Sequence, residues 1–222
     1  MISPYASHIA EELWSRLGNE RLWEAPWPVA DPAMLELAQL ADVISPWTPG
    51  RYRTPEAAAT PAATVWQPDI AWCQERKIDF LPVAFPGFSW TNLSQSRNAP
   101  AKFDAIPRLG GRFLWSQALA AKQAGSQMLY IAMFDEMDEG TAIFKVSNTP
   151  PRPGRFVTYD GLPTDWYLRL TGEGTKLIRG EREIRILGGV AVADEAVGGV
   201  IDRVVHAVAG RRGAVERERG RL

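Results

Sequence analysis

The run Met128-Leu-Tyr-Ile-Ala-Met-Phe134 is apolar and ends abruptly in Asp135, Glu136, Asp138 and Glu139, just before Gly140 and Thr141. An apolar strand that gives way at once to acids holds carboxylates at its C-terminal end, where barrel enzymes assemble their sites. Cleavage of a glycosidic bond needs two carboxyl groups about 5 to 9.5 Å apart, one to protonate the leaving oxygen and one to assist attack. Glu136 and Glu139 can meet that separation. Glu-x-x-Glu is also a common pattern on solvated faces, and spacing alone leaves both readings open.

Two other clusters follow apolar runs in the same way. Trp47, Arg51 and Tyr52 come after one, and Phe88, Trp90 and Asn92 after another. In a barrel these loops would face a ligand beside Asp135, and their aromatic faces would suit sugar stacking. Packing between loop and barrel rim accounts for the same residues equally well. Arg112, Phe113 and Trp115 open a helical stretch and read as core and salt-bridge residues. The single cysteine, Cys73, excludes an intrachain disulfide framework and a cysteine-built metal site, and reads as a half-buried helix residue. Neither a metal nor an organic cofactor is expected.

The elements that would hold these residues are legible in outline. Apolar runs at Ala41 to Trp47, Phe80 to Phe85 and Met128 to Phe134 alternate with amphipathic stretches near Asp69 to Arg76 and Arg112 to Ala124, an order that reads as βαβαβ with a parallel sheet. Thr54 to Thr64 is a loop or weak helix start. Pro150, Pro151 and Pro153 force an irregular loop. Phe156 to Tyr159 reads as a last strand, and Thr164 to Ile178 as a last helix capped by Thr164. Upstream, Ser3 and Pro4 begin a short helix with Ile9, Leu13, Trp14 and Leu17 on one face, ended by Gly18; Pro32 to Leu40 follows as a second. Past Gly180 the chain is rich in glycine, alanine, valine and arginine, with one candidate helix from Asp194 to Ala209 and an arginine-rich stretch read as a solvated tail.

Phe134-Asp-Glu-Met-Asp-Glu-Gly-Thr141 resembles the Phe-Asn-Glu-Trp-His-Glu-Gly-Thr signature of glycoside hydrolase family 99 and its relatives in family 71. Leu81-Pro-Val-Ala-Phe-Pro-Gly-Phe88 is similar to that family's strand ending in Pro-Gly-Tyr, Asp165-Trp-Tyr-Leu-Arg-Leu-Thr171 to its closing helix, and Asp42 to Tyr52 to an earlier strand and loop. The resemblance implies an α/β fold, the C-terminal half of a (β/α)8 barrel over residues 41–180, acting on a carbohydrate substrate. It implies that Glu136 acts as a base on the sugar 2-hydroxyl, giving a 1,2-anhydro intermediate, and that Glu139 is the general acid and base. The family's tryptophan and histidine are Met137 and Asp138 here. Added negative charge at Asp135 and Asp138 favours the protonated form of a neighbouring glutamate, which suits a general acid and hinders a base.

Residues 1–34 resemble a different family. Ile2-Ser-Pro-Tyr-Ala-Ser-His-Ile-Ala-Glu-Glu-Leu-Trp14, with Ala25-Pro-Trp-Pro28, is similar to the anticodon-binding helical domain of leucyl-tRNA synthetases, with Ser7 where that family usually has proline. His8 is then a helix-packing residue, and tRNA the partner this segment implies; ligase activity is not expected. The sequence thus divides into 1–34, 41–180 and a tail at 181–222.

A full barrel needs about 250 residues, and the matching region supplies about four of eight units. It therefore reads as a truncated barrel whose open edge favours self-association. A hydrolase, a carbohydrate-binding remnant without turnover and a tRNA-binding remnant all remain open. Twenty-five basic against twenty-six acidic residues give no field that selects nucleic acid or an anionic membrane. No window approaches the roughly 18 apolar residues of a membrane span, and the N-terminus lacks a leader pattern, so a cytoplasmic location is expected.

Overall fold

The structure, a computed structural model, describes residues 36–96, 101–151, 154–181, 184–187 and 190–193. The expected helices from Ser3 and from Asp194, the 1–34 segment and the arginine-rich tail lie outside these residues. Of Pro32 to Leu40 only the end is described, helical at Glu36, Leu37 and Ala38.

The chain mixes helices with short strands. Strand β1 (Val43–Ile44) leads through helices α1 (Pro55–Ala59) and α2 (Gln67–Glu75) to β2 (Asp79–Phe80) and β3 (Val83–Ala84). Helices α3 (Thr91–Ser96) and α4 (Arg112–Gln123) then precede β4 (Tyr130–Ile131), and α5 (Trp166–Ile178) precedes β5 (Ile184–Leu187) and β6 (Val190–Ala193).

β1 pairs with β2, and β3 with β4, both in parallel. Only Leu81 and Pro82 separate β2 from β3, and successive residues of an extended segment turn their polar groups to opposite edges. The N–H groups of Asp79 and Leu81 bond to the β1 segment, while the carbonyls of Pro82 and Ala84 accept from Tyr130 and Ala132. Residues 79–84 thus form the middle of three parallel segments. Pro82 has no N–H, and it stands where only a carbonyl is needed. Two hydroxyls extend the first pairing: Ser45 Oγ donates to the Leu81 carbonyl at 2.9 Å and Thr48 Oγ1 to that of Val83 at 2.5 Å.

The helices cover one face of this arrangement. α1 starts where Thr54, in an extended conformation, accepts from the Ala57 N–H, with Pro55 in the first turn. A π-helical turn, Ala62–Trp66, joins it to α2, and Trp66, Ile70 and Cys73 fall on one buried stripe. Cys73 is buried rather than half-buried, and burial pushes its thiol up, which disfavours the reactive thiolate. Phe113 and Trp115 are core residues, as expected, while Arg112 is exposed.

Gln117, fully buried in the middle of α4, accepts from the Phe85 N–H at 3.1 Å and donates to its carbonyl at 2.8 Å. One side chain thereby takes the place of the strand partner that Phe85 lacks. The opposite face is partly open: Val43 and Tyr130 are 41% and 43% exposed.

Two expectations are corrected. Phe156 to Tyr159 pairs with no strand among the described residues, and the Tyr159 N–H bonds instead to the Asn148 side chain at 3.0 Å. The last helix begins after Asp165, which stands at the N-cap position without a side-chain cap bond and pairs with Arg169 at 2.7 Å; the Thr164 carbonyl accepts from the Val146 N–H. Past Gly180, where the sequence reads only as a tail with one candidate helix, β5 and β6 pair in antiparallel fashion. Gly188-Gly189 between two runs rich in valine and isoleucine is the signal for it.

Candidate active site

The acidic stretch is a compact turn directly after β4. The Glu136 carbonyl accepts from the N–H groups of Thr141 and Ala142, at 3.1 and 3.2 Å, and from Thr141 Oγ1 at 3.2 Å. The Phe134 carbonyl accepts from Ile143 and Phe144. Gly140 closes the turn at φ +68°, where a side chain is strained, and a Cβ there would stand 2.9 Å from Val157 Cγ2.

The turn is fastened to the loop after β3. The Ser89 N–H donates to the Glu139 carbonyl at 2.7 Å. Asn92 Nδ2 donates to the carbonyls of Asp138 and Arg155 at 2.9 and 3.2 Å. Ser89 Oγ also accepts from the Asp104 N–H at 3.2 Å.

The two glutamates differ in environment. Glu139 is 2% exposed. Glu136 is half-buried, and its Oε2 is shielded from water with no hydrogen-bond partner among the described residues. Asp135 and Asp138 are exposed, so their charges are screened by solvent.

Of the other site candidates, Asn92 is brought to the acidic turn by its own hydrogen bonds, and Trp90 is half-buried with its ring centroid 4.4 Å from that of Phe88. Trp47 is half-buried, 6.3 Å from the Tyr130 ring. Arg51 is half-buried and desolvation lowers its guanidinium from the ordinary value. Tyr52 and Phe88 turn into the core. Tyr52 packs edge-on against Trp66 and burial pushes its hydroxyl up to about 12, while Phe88 bridges to Ile106 beneath the loop.

Sequence reasoning passed over Ser89, Asp104, Arg108 and Tyr159. Arg108 sits in a Pro-Arg-Leu-Gly-Gly loop, where an arginine reads as solvent-facing, yet it is 3% exposed.

A cavity of about 340 Å³ lies elsewhere, lined by Leu81, Leu114, Trp115, Met128, Leu129 and Leu170 among others. Leu81, Met128 and Leu129 precede β3 and β4, which puts this cavity at the opposite end of the strands from the acidic turn. Among the described residues no three of His, Cys, Asp and Glu gather as metal ligands, and no helix is long and apolar enough to cross a membrane.

No family model matches the chain. Over 92 residues it is 36% identical to leucine–tRNA ligase 1 of Rhizobium johnstonii, covering 39% of this chain and 11% of that protein. Over 36 residues it is 58% identical to the leucine–tRNA ligase of Cereibacter sphaeroides and 61% to that of Nocardia farcinica, in each case 16% of this chain and 4% of the relative. The chain thus spans about a tenth or less of these curated relatives. Among solved structures it is similar to the GH99 endo-α-mannosidase from Bacteroides thetaiotaomicron, with a TM-score of 0.47 and 24% identity over 59% of this chain and 37% of that one. A structure of such an enzyme with bis-tris-propane gives 0.43 and 23%, over 54% and 37%. The short matches to the ligases lie toward the N-terminus of the chain.

Proposed function

We propose that this chain is a glycoside hydrolase-like protein that cleaves O-glycosidic bonds by carboxylate acid/base catalysis. The observation that carries the reading is the acidic turn at the C-terminal end of a parallel strand, tied by Ser89 and Asn92 to the loop after the neighbouring strand. In this reading Glu136 takes the proton of the sugar 2-hydroxyl, O2 closes on C1, and Glu139 protonates the departing glycosidic oxygen. Water then opens the 1,2-anhydro ring, Glu139 taking its proton and Glu136 returning one to O2. A carboxyl group held out of water suits the general acid, because desolvation disfavours its charged form. Trp47, Arg51, Trp90, Asn92 and Asp135 would contact the sugar, with Tyr52 and Phe88 supporting them from the core. Hydrolysis of an O-glycoside that Glu139→Gln abolishes tests the assignment, and glycan binding without any turnover by the wild type would reduce the chain to a carbohydrate-binding remnant.

The finer architecture belongs to the same proposal: residues 41–180 as the C-terminal half of a (β/α)8 barrel, acting in the cytoplasm. Its open face, with Val43, Tyr130 and Phe134 exposed, would meet a second copy, and light scattering on the purified chain reads that directly.

A second reading, a tRNA-binding remnant, rests on the short matches to leucine–tRNA ligases. It requires tRNA binding that weakens steeply with salt.

A further inference from the structure

We propose that Arg108, stacked against Tyr159 and Tyr167, is the positioning residue that holds the Glu136–Thr141 turn in its working shape by anchoring the carbonyl of Ala142. This rests on the carboxylate reading above for its functional meaning, although the geometry stands without it.

Ala142 joins the turn to the core. Its N–H donates to the Glu136 carbonyl at 3.2 Å, and its own carbonyl accepts from Arg108 Nη2 at 2.7 Å. The Tyr159 hydroxyl lies 3.2 Å from the same carbonyl and 2.5 Å from that of Phe144. Burial pushes the Tyr159 and Tyr167 hydroxyls up against a smaller opposing pull from Arg108, so Tyr159 stays protonated and donates.

The guanidinium carbon stands 5.1 Å from the centre of the Tyr159 ring and 4.6 Å from that of Tyr167. A buried cation is costly unless paired, and here two aromatic faces and a charge-assisted hydrogen bond stabilise it, with the Asp104 carboxylate adding electrostatic attraction. Nε and Nη1 have no hydrogen-bond partner among the described residues, and Nη2 is the nitrogen that bonds to the Ala142 carbonyl. Room for the side chain is made at Gly87, where a Cβ would lie 2.8 Å from Arg108 Cγ and 2.7 Å from the Ile106 carbonyl. A large cation has been fitted beneath the acidic turn where an apolar side chain would have filled the volume at less cost. What it adds is a fixed donor aimed at the turn's last carbonyl.

The test is native-state hydrogen exchange on wild type, Arg108→Met, Arg108→Lys and Tyr159→Phe, comparing the amides of Thr141 and Ala142 with those in the middle of α4. Loss of a charge-assisted hydrogen bond is expected to speed exchange at the turn by roughly tenfold or more in Arg108→Met, with α4 changing much less. Arg108→Lys, which keeps the charge, should recover part of the protection, and Tyr159→Phe should show a smaller loss at the same amides. Should Arg108→Met fail to fold, the two milder variants decide the matter by the same comparison. Turn amides that exchange as in wild type, or that speed up only by the factor seen in α4, would overturn the proposal. On a glycoside that the wild type hydrolyses, the same variants should lower kcat and leave KM within about twofold, as expected for a loss felt in the transition state. A wild type that hydrolyses no glycoside defeats the catalytic reading but leaves the exchange result to decide the role of Arg108.

Discussion

The Ser89 N–H donates to the Glu139 carbonyl at 2.7 Å, which ties the loop after β3 directly to the acidic turn after β4. The parallel pairing of β3 with β4 sets these two strand ends side by side, and the hydrogen bond fixes their loops to each other. The placement of both glutamates therefore depends on a few small residues around this junction.

Gly140 is one of them. Gly140→Ala combines a positive φ with a contact of 2.9 Å to the stiff Val157 side chain. A loss of about 1 to 3 kcal/mol is expected, read from urea denaturation, together with a disturbed turn. Unchanged stability would mean that the turn is looser than its hydrogen bonds imply.

Gln117 tests the scaffold. Gln117→Leu keeps the volume but strands the N–H and carbonyl of Phe85 in the core, for an expected cost of about 3 kcal/mol. Equilibrium denaturation checks this, and a neutral result would show that another group can reach Phe85.

Asp104 gives a pH dependence with a definite sign. Burial is the main cause that raises its carboxyl above the ordinary value, with Asp160 adding to it and Arg108 and Lys102 opposing. A raised value in the fold favours the protonated form, so the stability it contributes is full below the ordinary aspartate value of about 3.9 and is lost as pH rises through the folded value. Asp104→Asn mimics the neutral form and tolerates the local φ of +48°. Its unfolding free energy should match wild type at the acid end and exceed it near neutrality, by about 1 kcal/mol or less once solvent screening is allowed for, as denaturant titration across pH would read. A variant less stable than wild type at neutral pH would contradict this.

The three apolar runs that became β1, the β2–β3 segment and β4 were legible because each is short and bounded by turn residues, and Arg112 to Ala124 because its apolar spacing is helical. The acidic stretch was legible because the apolar run Met128 to Phe134 gives way at once to Asp135, Glu136, Asp138 and Glu139. Other features depend on partners remote in sequence. Phe156 to Tyr159 has strand composition, but Asn148 takes the Tyr159 N–H, and that competition is invisible locally. Thr164 and Asp165 are both good caps, and the Val146 contact with the Thr164 carbonyl shifts the start by one residue. Tyr52 and Phe88 looked like rim aromatics until the loops carrying them folded inward over Trp66 and Ile106. Arg108 had no signal at all, since the stack with Tyr159 and Tyr167 and the bond to the Ala142 carbonyl that make a buried arginine tolerable are both tertiary.

The measurement that bears most directly on the account is product release from a panel of O-glycosides, followed by NMR, for wild type, Glu136→Gln and Glu139→Gln, with near-ultraviolet circular dichroism showing that all three are folded. The account expects hydrolysis by the wild type and a loss of about 10²- to 10⁴-fold in each variant, the range for removal of a general acid or base. A folded wild type that releases no product, or variants that match it, would contradict the assignment of Glu136 and Glu139.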